Sequence, residues 1–506
     1  MSPGQGRNTS SAHAGPNREL PVRDPLLLAS ATRLAANIRA GHTTSASVVE
    51  AHLRYLDRVN PTLNAMVASR AEHAREEAVR ADASAATDAP FHGVPCSIKE
   101  CFALTGMPQS AGLLRRRDVR ATTDATAVSR LRAAGAIPLG VSNTSELCMW
   151  MESDNLVYGR TNNPYDPRCT VGGSSGGEAA LVGAGAVPFG LGSDIGGSIR
   201  MPAFFNGVFG HKPTGGLVPG TGQHPIADPA ALRFLTTGPI CRRAEDLWPL
   251  LQLLAGPDHH DVGCIPWQLG DPHTVDIAGL RVLHIPDSGS QPVSADLRAA
   301  QLKVATLLQE AGATVEEVRI PAMKHGFDIW SNMLQEANVT PFATLMGDGE
   351  PVEPLVELLR VFTGSPRHTV MACLLGATES ITKAMPRRQR AFVELGRQLR
   401  AELEDRLGDD GVLLYPSFSR PAPRHRLPLL RQLMLRFDYA YTALLNVMEL
   451  PVTQVPLGLN DRGLPLGVQV GARHGNDHLT VAVAQFLEDR LGGWVPPPLM
   501  ETALAR

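Results

Sequence analysis

The chain has no apolar run able to cross a membrane. A span needs roughly 18 apolar residues, and the longest charge-free apolar stretch, Ala179 to Ser193, is broken by glycines and by Pro188. Nor does the start carry the apolar core of a signal peptide: residues 1–24 are rich in Gly, Ser, Asn and Arg and read as a disordered or extended tail. The net charge of −3 makes no electrostatic case for nucleic-acid binding. Seven cysteines, an odd number with no C-x-x-C spacing, exclude a disulfide scaffold and a zinc site of familiar pattern. Thiols without partners suit a reducing compartment, so the expected place is the cytoplasm, with contact to a membrane surface as the one other reading. No internal repeat is visible.

What is present is enough apolar material for a sizeable core. The 506 residues are 43% hydrophobic and 19% charged, ordinary for a soluble globular chain. Apolar spacing predicts an amphipathic helix over Thr44 to Val59, capped by Thr44 or Ser45 and followed by Pro61, then an Ala-rich helix over 63–82. Val94 to Ile98 reads as a strand delivering Lys99. A helix over Thr123 to Ala134 leads to a strand from Ile137, and a helix of small residues over Gly177 to Ala186 leads to a strand from Val187. Further strands are expected at Leu280 to Ile285, Val315 to Val318, Val412 to Tyr415, Thr453 to Leu457 and Gly467 to Val470. Helices are expected at Ala295 to Ala311 and His478 to Leu487, the last closing the fold. Alternation of helices with short apolar strands argues an α/β layer architecture. Without a long linker, residues 25–506 read as one domain, and the Pro-rich stretch 417–428 as a loop or lid.

Three places carry chemistry. Gly93-Val94-Pro95-Cys96-Ser97-Ile98-Lys99 sets a lysine in apolar company. Gly172-Gly173-Ser174-Ser175-Gly176-Gly177 follows 75 residues after that lysine, and Gly196-Gly197-Ser198 lies 24 residues further on. A serine hydroxyl is a weak nucleophile until a base takes its proton. Lysine is such a base only when neutral, the form that burial favours because the charged form loses solvation. The alternative is a surface lysine paired with Glu100. The Gly-Ser run at Ser174 admits three readings: a flexible linker, a nucleophile elbow, or a relay serine in a turn that glycines permit. The turn-forming residues before it, Asn163 to Pro167, argue against an elbow, which needs a strand there. In the second run two glycines precede a serine at a strand end, so that successive N–H groups of Ile195, Gly196, Gly197 and Ser198 converge as an oxyanion hole beside Ser198 as nucleophile. A phosphate nest is the rival, but no G-x-x-x-x-G-K-[ST] occurs. Asp194 and Arg200 flank the nucleophile as supports, with Ser175 beside the relay. His211 reads as structural, and the pair His259-His260 as a solvated loop rather than a metal site.

Taken together these motifs resemble the amidase signature family, over about residue 25 to the C-terminus, including Gly210-His211-Lys212-Pro213-Thr214 and Gly463 to Gln469. Within it the chain is most similar to the fatty-acid amide hydrolases, particularly the type-2 form, through Glu146 to Trp150, Tyr158 to Asp166 and Ser193 to Gly210. It departs from that form in having no N-terminal membrane helix, so stable anchoring is not expected. The resemblance implies a large mixed, twisted β-sheet with α-helices on both faces. It also implies a Lys99, cis-Ser174, Ser198 triad with a cis Gly173–Ser174 peptide, and amide hydrolysis through an acyl-enzyme, with side activity on esters and without cofactor or metal. It places Cys148, Met149 and Trp150, with Gly173, at the substrate, where soft and aromatic side chains suit an apolar fatty acyl or aryl group. Ordinary core is the competing reading of those three.

Residues 352–440 hold the expected cap, with apolar stripes at Leu355, Leu358, Leu359 and Phe362 and at Leu429, Leu430, Leu433, Met434 and Phe437. Arg424, Arg426, Arg431 and Arg436 surround the second stripe. Such faces serve as core, as a homodimer contact or as peripheral membrane contact. The partner called for is a small-molecule amide, with no nucleic acid. Two other classes share the motifs: an amidotransferase A-type subunit working in a complex, and a non-catalytic lipid-binding protein.

Overall fold

The structure is a computed structural model and describes residues 24–84, 88–338, 340–383, 385–425 and 428–504. The expected tail, up to residue 23, and Arg426 lie outside them, as do the side chains of Leu429, Leu430, Leu433 and Arg436. The strands in chain order are β1 (Met66–Ser69), β2 (Pro95–Lys99), β3 (Ile137–Ser142), β4 (Asp154–Asn155), β5 (Gly159–Arg160), β6 (Phe189–Asp194) and β7 (Phe209–Lys212). They continue as β8 (Thr236–Cys241), β9 (Arg281–His284), β10 (Thr314–Glu317), β11 (Gly411–Pro416), β12 (Val452–Leu459) and β13 (Pro465–Ala472). Apart from the small β4–β5 hairpin they form one 11-stranded sheet in the order β1-β3-β2-β6-β8-β7-β12-β13-β11-β9-β10. It is mixed: β2 runs parallel to β3 and β6, while β6–β8 and β12–β13 are antiparallel.

Alternation along a strand sends neighbouring side chains to opposite faces, and both faces here are packed. On β11, Val412 and Leu414 join one apolar core while Leu413 and Tyr415 join another. The helix Ala295–Glu310 packs on the sheet at β13 and β11. Around the centre the helix Gly176–Gly183 is buried along its whole length. A Cβ on Gly177 would fall 2.5 Å from Asn143 N, and one on Gly190 would fall 1.8 Å from Glu178 Oε2, so this helix meets the strands at a distance only glycine allows.

Four sequence expectations need correction. The first long helix is Ser45–Leu63, capped by the Thr44 hydroxyl, and Pro61 lies within its last turn. It ends instead at Asn64, which has φ 51°, with Asn60 Oδ1 accepting the N–H groups of Ala65 and Met66. The Ala-rich helix starts only at Ala71, because Met66–Ser69 pairs with β3 as a strand. Strands β7 and β8 and the helix Arg200–Phe205 were not read from the sequence. Finally, a helix Pro498–Leu504 follows Asp477–Leu491, so the latter does not close the chain.

All seven cysteines are buried and free. His211 is enclosed between Thr453 and Asp477, a structural position, and Asp258 accepts the N–H groups of His260 and Asp261 in a turn.

Candidate active site

Two parallel strands bring the first groups together. Ser97 and Ile98 of β2 pair with Gly190 and Leu191 of β6, so Lys99 and Ser193 emerge side by side where both strands end. Ligand sites of α/β sheets favour this carboxyl edge. Lys99 is fully buried, and its Nζ donates to Ser174 Oγ at 2.7 Å and to Ser193 Oγ at 2.9 Å. The alternative pairing with Glu100 is ruled out, because that carboxylate accepts from Ser110, Ala111 and Tyr158. Below Lys99, on the face it shares with Ser97, lies the fully buried Glu178, whose Oε2 accepts from Ser97 Oγ at 2.5 Å. Burial pushes the Glu178 carboxyl up to about 7.

The peptide bond Gly173–Ser174 is cis. Gly173 is pressed against the Trp150 carbonyl, where a Cβ would come within 2.4 Å of the oxygen. Ser175 joins the two Gly-Ser runs: its N–H donates to Ser198 O at 3.1 Å and its hydroxyl to Ser193 O at 3.2 Å. Ser174, Ser193 and Ser198 all open on one cavity of about 360 Å³. Among the described residues no hydrogen bond joins Ser174 Oγ to Ser198 Oγ; such contacts commonly tighten only once a substrate is bound.

The turn from Asp194 to Arg200 is organised by one carboxylate. Asp194 accepts from Gly197 N at 2.6 Å and Ile199 N at 3.1 Å, and pairs with the buried Arg200 guanidinium at 3.0 Å. Burial alone would raise the Asp194 carboxyl, but Arg200 outweighs it and holds the group well below the usual carboxylate range. Of the N–H groups expected to converge, that of Gly197 is thus given to Asp194. Those of Ile195, Gly196 and Ser198 have no acceptor among the described residues. The carbonyl side of the turn is fixed too: Trp330 Nε1 donates to Ile195 O at 2.9 Å and Thr442 Oγ1 to Gly196 O at 3.0 Å.

Cys148, Met149 and Trp150 line the cavity with Leu147 and Met151. Gly173 is not among the lining residues. The remaining walls come from Phe327, Trp330 and Leu334 on the helix Gly326–Ala337 with Phe342 and Leu345, segments the sequence had not singled out, and from Met371, Leu374 and Leu375 on the helix Val370–Lys383. Met371, Leu374, Leu375 and Tyr439 of this lining fall within residues 352–440. The Cys148 thiol accepts from Cys101 and lies near Lys99, which hold it below the usual thiol range against the effect of burial. Glu146, at the start of this wall, is buried against His368 Nδ1 at 2.6 Å and Thr369 N at 2.7 Å, which ties the wall to the roof.

Ser193 and Tyr439 are the functional candidates that sequence reading passed over. Ser193 stood within a quoted motif, next to the strand end. Tyr439 had a fainter signal, because Tyr439, Thr442 and Asn446 recur at helical spacing in an otherwise apolar stretch.

Comparison with known proteins adds context. The Amidase family model matches residues 47–481. Human fatty-acid amide hydrolase 2 is 46% identical, covering 94% of this chain and 92% of that protein. The acylamidase of Rhodococcus erythropolis is 30% identical over 91% of this chain and 94% of its own. Among solved structures, 6-aminohexanoate cyclic dimer hydrolase complexed with substrate superposes with a TM-score of 0.79 at 25% identity, covering 94% of this chain and 99% of that one.

Proposed function

The chain belongs to the amidase signature family and is an amide hydrolase, and we propose from that premise that Ser198 is its nucleophile, Ser174 the proton relay and Lys99 the base. The observation that carries this reading is the 2.7 Å contact from Lys99 Nζ to Ser174 Oγ on the wall of the cavity that Ser198 also faces. Neutral Lys99 takes the proton of Ser174, which takes that of Ser198 as its Oγ bonds to the amide carbonyl carbon. The oxyanion forms against the free N–H groups of Ile195, Gly196 and Ser198. As the carbon–nitrogen bond breaks, the proton returns through Ser174 to the leaving nitrogen. Water then repeats the sequence on the acyl-Ser198 ester and releases the acid. Asp194, Arg200 and Ser175 hold the two serine turns in register.

The acyl group is apolar, fatty or aryl. Met149, Trp150, Trp330 and Leu374 offer it dispersion and burial with few competing polar atoms, and the likeness to a fatty-acid amide hydrolase supports the fatty class. The test is hydrolysis of acyl anilides from acetyl to oleoyl beside Ser198→Ala. We expect a rate that rises with chain length and is absent from the variant. A preference for acetyl would discard the lipid reading, and an active Ser198→Ala would discard the nucleophile.

Contact with a membrane surface is a second reading. On the helix Pro354–Phe362, beside the cavity roof, Leu355, Leu359 and Phe362 are 64%, 65% and 80% exposed. Adjacent exposed apolar side chains of this size mark a contact surface more often than chance exposure.

A further inference from the structure

The helix Leu429–Val447 presents three polar side chains to the Asp194–Arg200 turn, at positions 439, 442 and 446, which lie on one face. Two of them are fully used by the turn. Thr442 donates to Gly196 O at 3.0 Å, and Asn446 donates to Asp194 Oδ1 at 2.9 Å while accepting from Arg200 at 2.6 Å. The third, Tyr439, reaches the same turn but gives its hydroxyl to no backbone atom there. Its oxygen lies directly over Gly196, where a Cβ would fall 2.0 Å away, and it faces Ser198. The ring lines the cavity, held edge-on to Trp330 at a centroid distance of 5.4 Å. Trp330 in turn is pinned to Ile195 O. A phenol locked in place, its hydroxyl hydrogen-bonded to the Ser198 side chain and open to the cavity, stands within reach of a carbonyl oxygen whose carbon Ser198 attacks.

We propose that Tyr439 is a further catalytic residue, whose hydroxyl donates a hydrogen bond to the carbonyl oxygen of the scissile group as negative charge develops on it. The inference rests on the amide-hydrolase reading and extends its oxyanion site. That site has lost the Gly197 N–H to Asp194, and the phenol stands over the neighbouring Gly196 as a side-chain donor in addition to the backbone ones. Burial holds the Tyr439 hydroxyl above its ordinary range, so it keeps its proton and acts as donor rather than base. Such a donor strengthens the contact only as the carbonyl becomes tetrahedral, and so contributes to kcat more than to substrate affinity.

The experiment compares wild type with Tyr439→Phe on decanoyl anilide, and measures inhibition of both by decyl trifluoromethyl ketone, which forms an anionic hemiketal with Ser198, and by decanol, which does not. Removing one oxyanion donor should lower kcat by about 100-fold with KM little changed. The ketone should weaken by a similar factor while decanol binds as before. Inhibition constants do not depend on the fraction of folded enzyme, so the ratio of the two inhibitors reads the contact even if the variant folds poorly. Unchanged kcat and an unchanged inhibitor ratio would overturn the proposal, as would a rise in KM alone, which would make Tyr439 a wall. Wild type inactive on every anilide would overturn the amidase reading instead, and the dissociation constants of the ketone and decanol, taken by titration calorimetry on both proteins, would still report on Tyr439.

Discussion

Glu178 sits beneath the lysine and forms no ion pair among the described residues. The carboxyl is pushed up from 4.5 to about 7, chiefly by burial, with the hydrogen bond from Ser97 acting the other way. Between those values the folded protein holds a proton that the unfolded chain has released. Stability contributed by this group therefore falls as pH rises through that window, and the loss is complete above about 7. Glu178→Gln has no such dependence. We expect it to gain on wild type between pH 5 and pH 8, by up to about 3 kcal/mol, in urea unfolding followed by tryptophan fluorescence. A pH-independent difference would refute the assignment. The same residue shows where sequence reading stopped. Lys99, Ser174 and Ser198 stood out because glycines and apolar neighbours mark them, whereas Glu178, one charge in a helix of small residues, was not singled out. Its burial is set by Ser97 and Gly190, which only the sheet brings near.

At the scale of elements, eight strands of the large sheet were legible as short runs between helices, and β1, β7 and β8 were not. β2 and β11 are apolar runs bounded by turn residues. β7, Phe209–Lys212, contains His and Lys, and β8, Thr236–Cys241, contains Gly and Pro; both are strands because neighbours on either side complete their ladders. Local pattern carries no trace of such pairing. Residues 352–440 were read as a cap from their apolar stripes, but the contact that ties the helix Val370–Lys383 to the cavity wall was not legible. That contact is the clasp from Glu146 to His368, both only 3% exposed, between the Cys148 wall and the start of the helix Val370–Lys383. His368→Ala leaves Glu146 with one partner fewer in a buried place, a loss of about 1–3 kcal/mol. The roof should loosen, raising KM for oleoyl anilide by about tenfold while acetanilide turnover stays as it was. Equal effects on both substrates in steady-state kinetics would place the clasp in general stability instead.

The whole molecule separates its surfaces as clearly as its cores. The described helices include none long and apolar enough to cross a membrane, yet Leu355, Leu359 and Phe362 share one exposed face beside the cavity roof. Leu359→Glu with Phe362→Glu should reduce co-sedimentation with phosphatidylserine-containing vesicles several-fold, each lost apolar side chain being worth about 1.5–3 kcal/mol when buried. Hydrolysis of a short soluble anilide should not change. Sedimentation unaffected by the pair would remove this face from the membrane reading. The distribution of apolar side chains in sequence pointed to this face, but a stripe at helical spacing looks the same whether it meets a core, a second copy or lipid.

The turn that carries Ser198 depends on residues far along the chain: Thr442 lies 246 positions after Gly196, and Asn446 lies 246 after Arg200. A ribosome makes the lysine, both serines and the glycines first, and makes the helix that braces them near the end. Until that helix arrives, the turn has only its local bonds from Gly197, Ile199 and Arg200 to Asp194, without Thr442 and Asn446. On the reading that Ser198 is the nucleophile, its turn is therefore braced late in synthesis, and a chain cut short before residue 442 lacks that brace altogether.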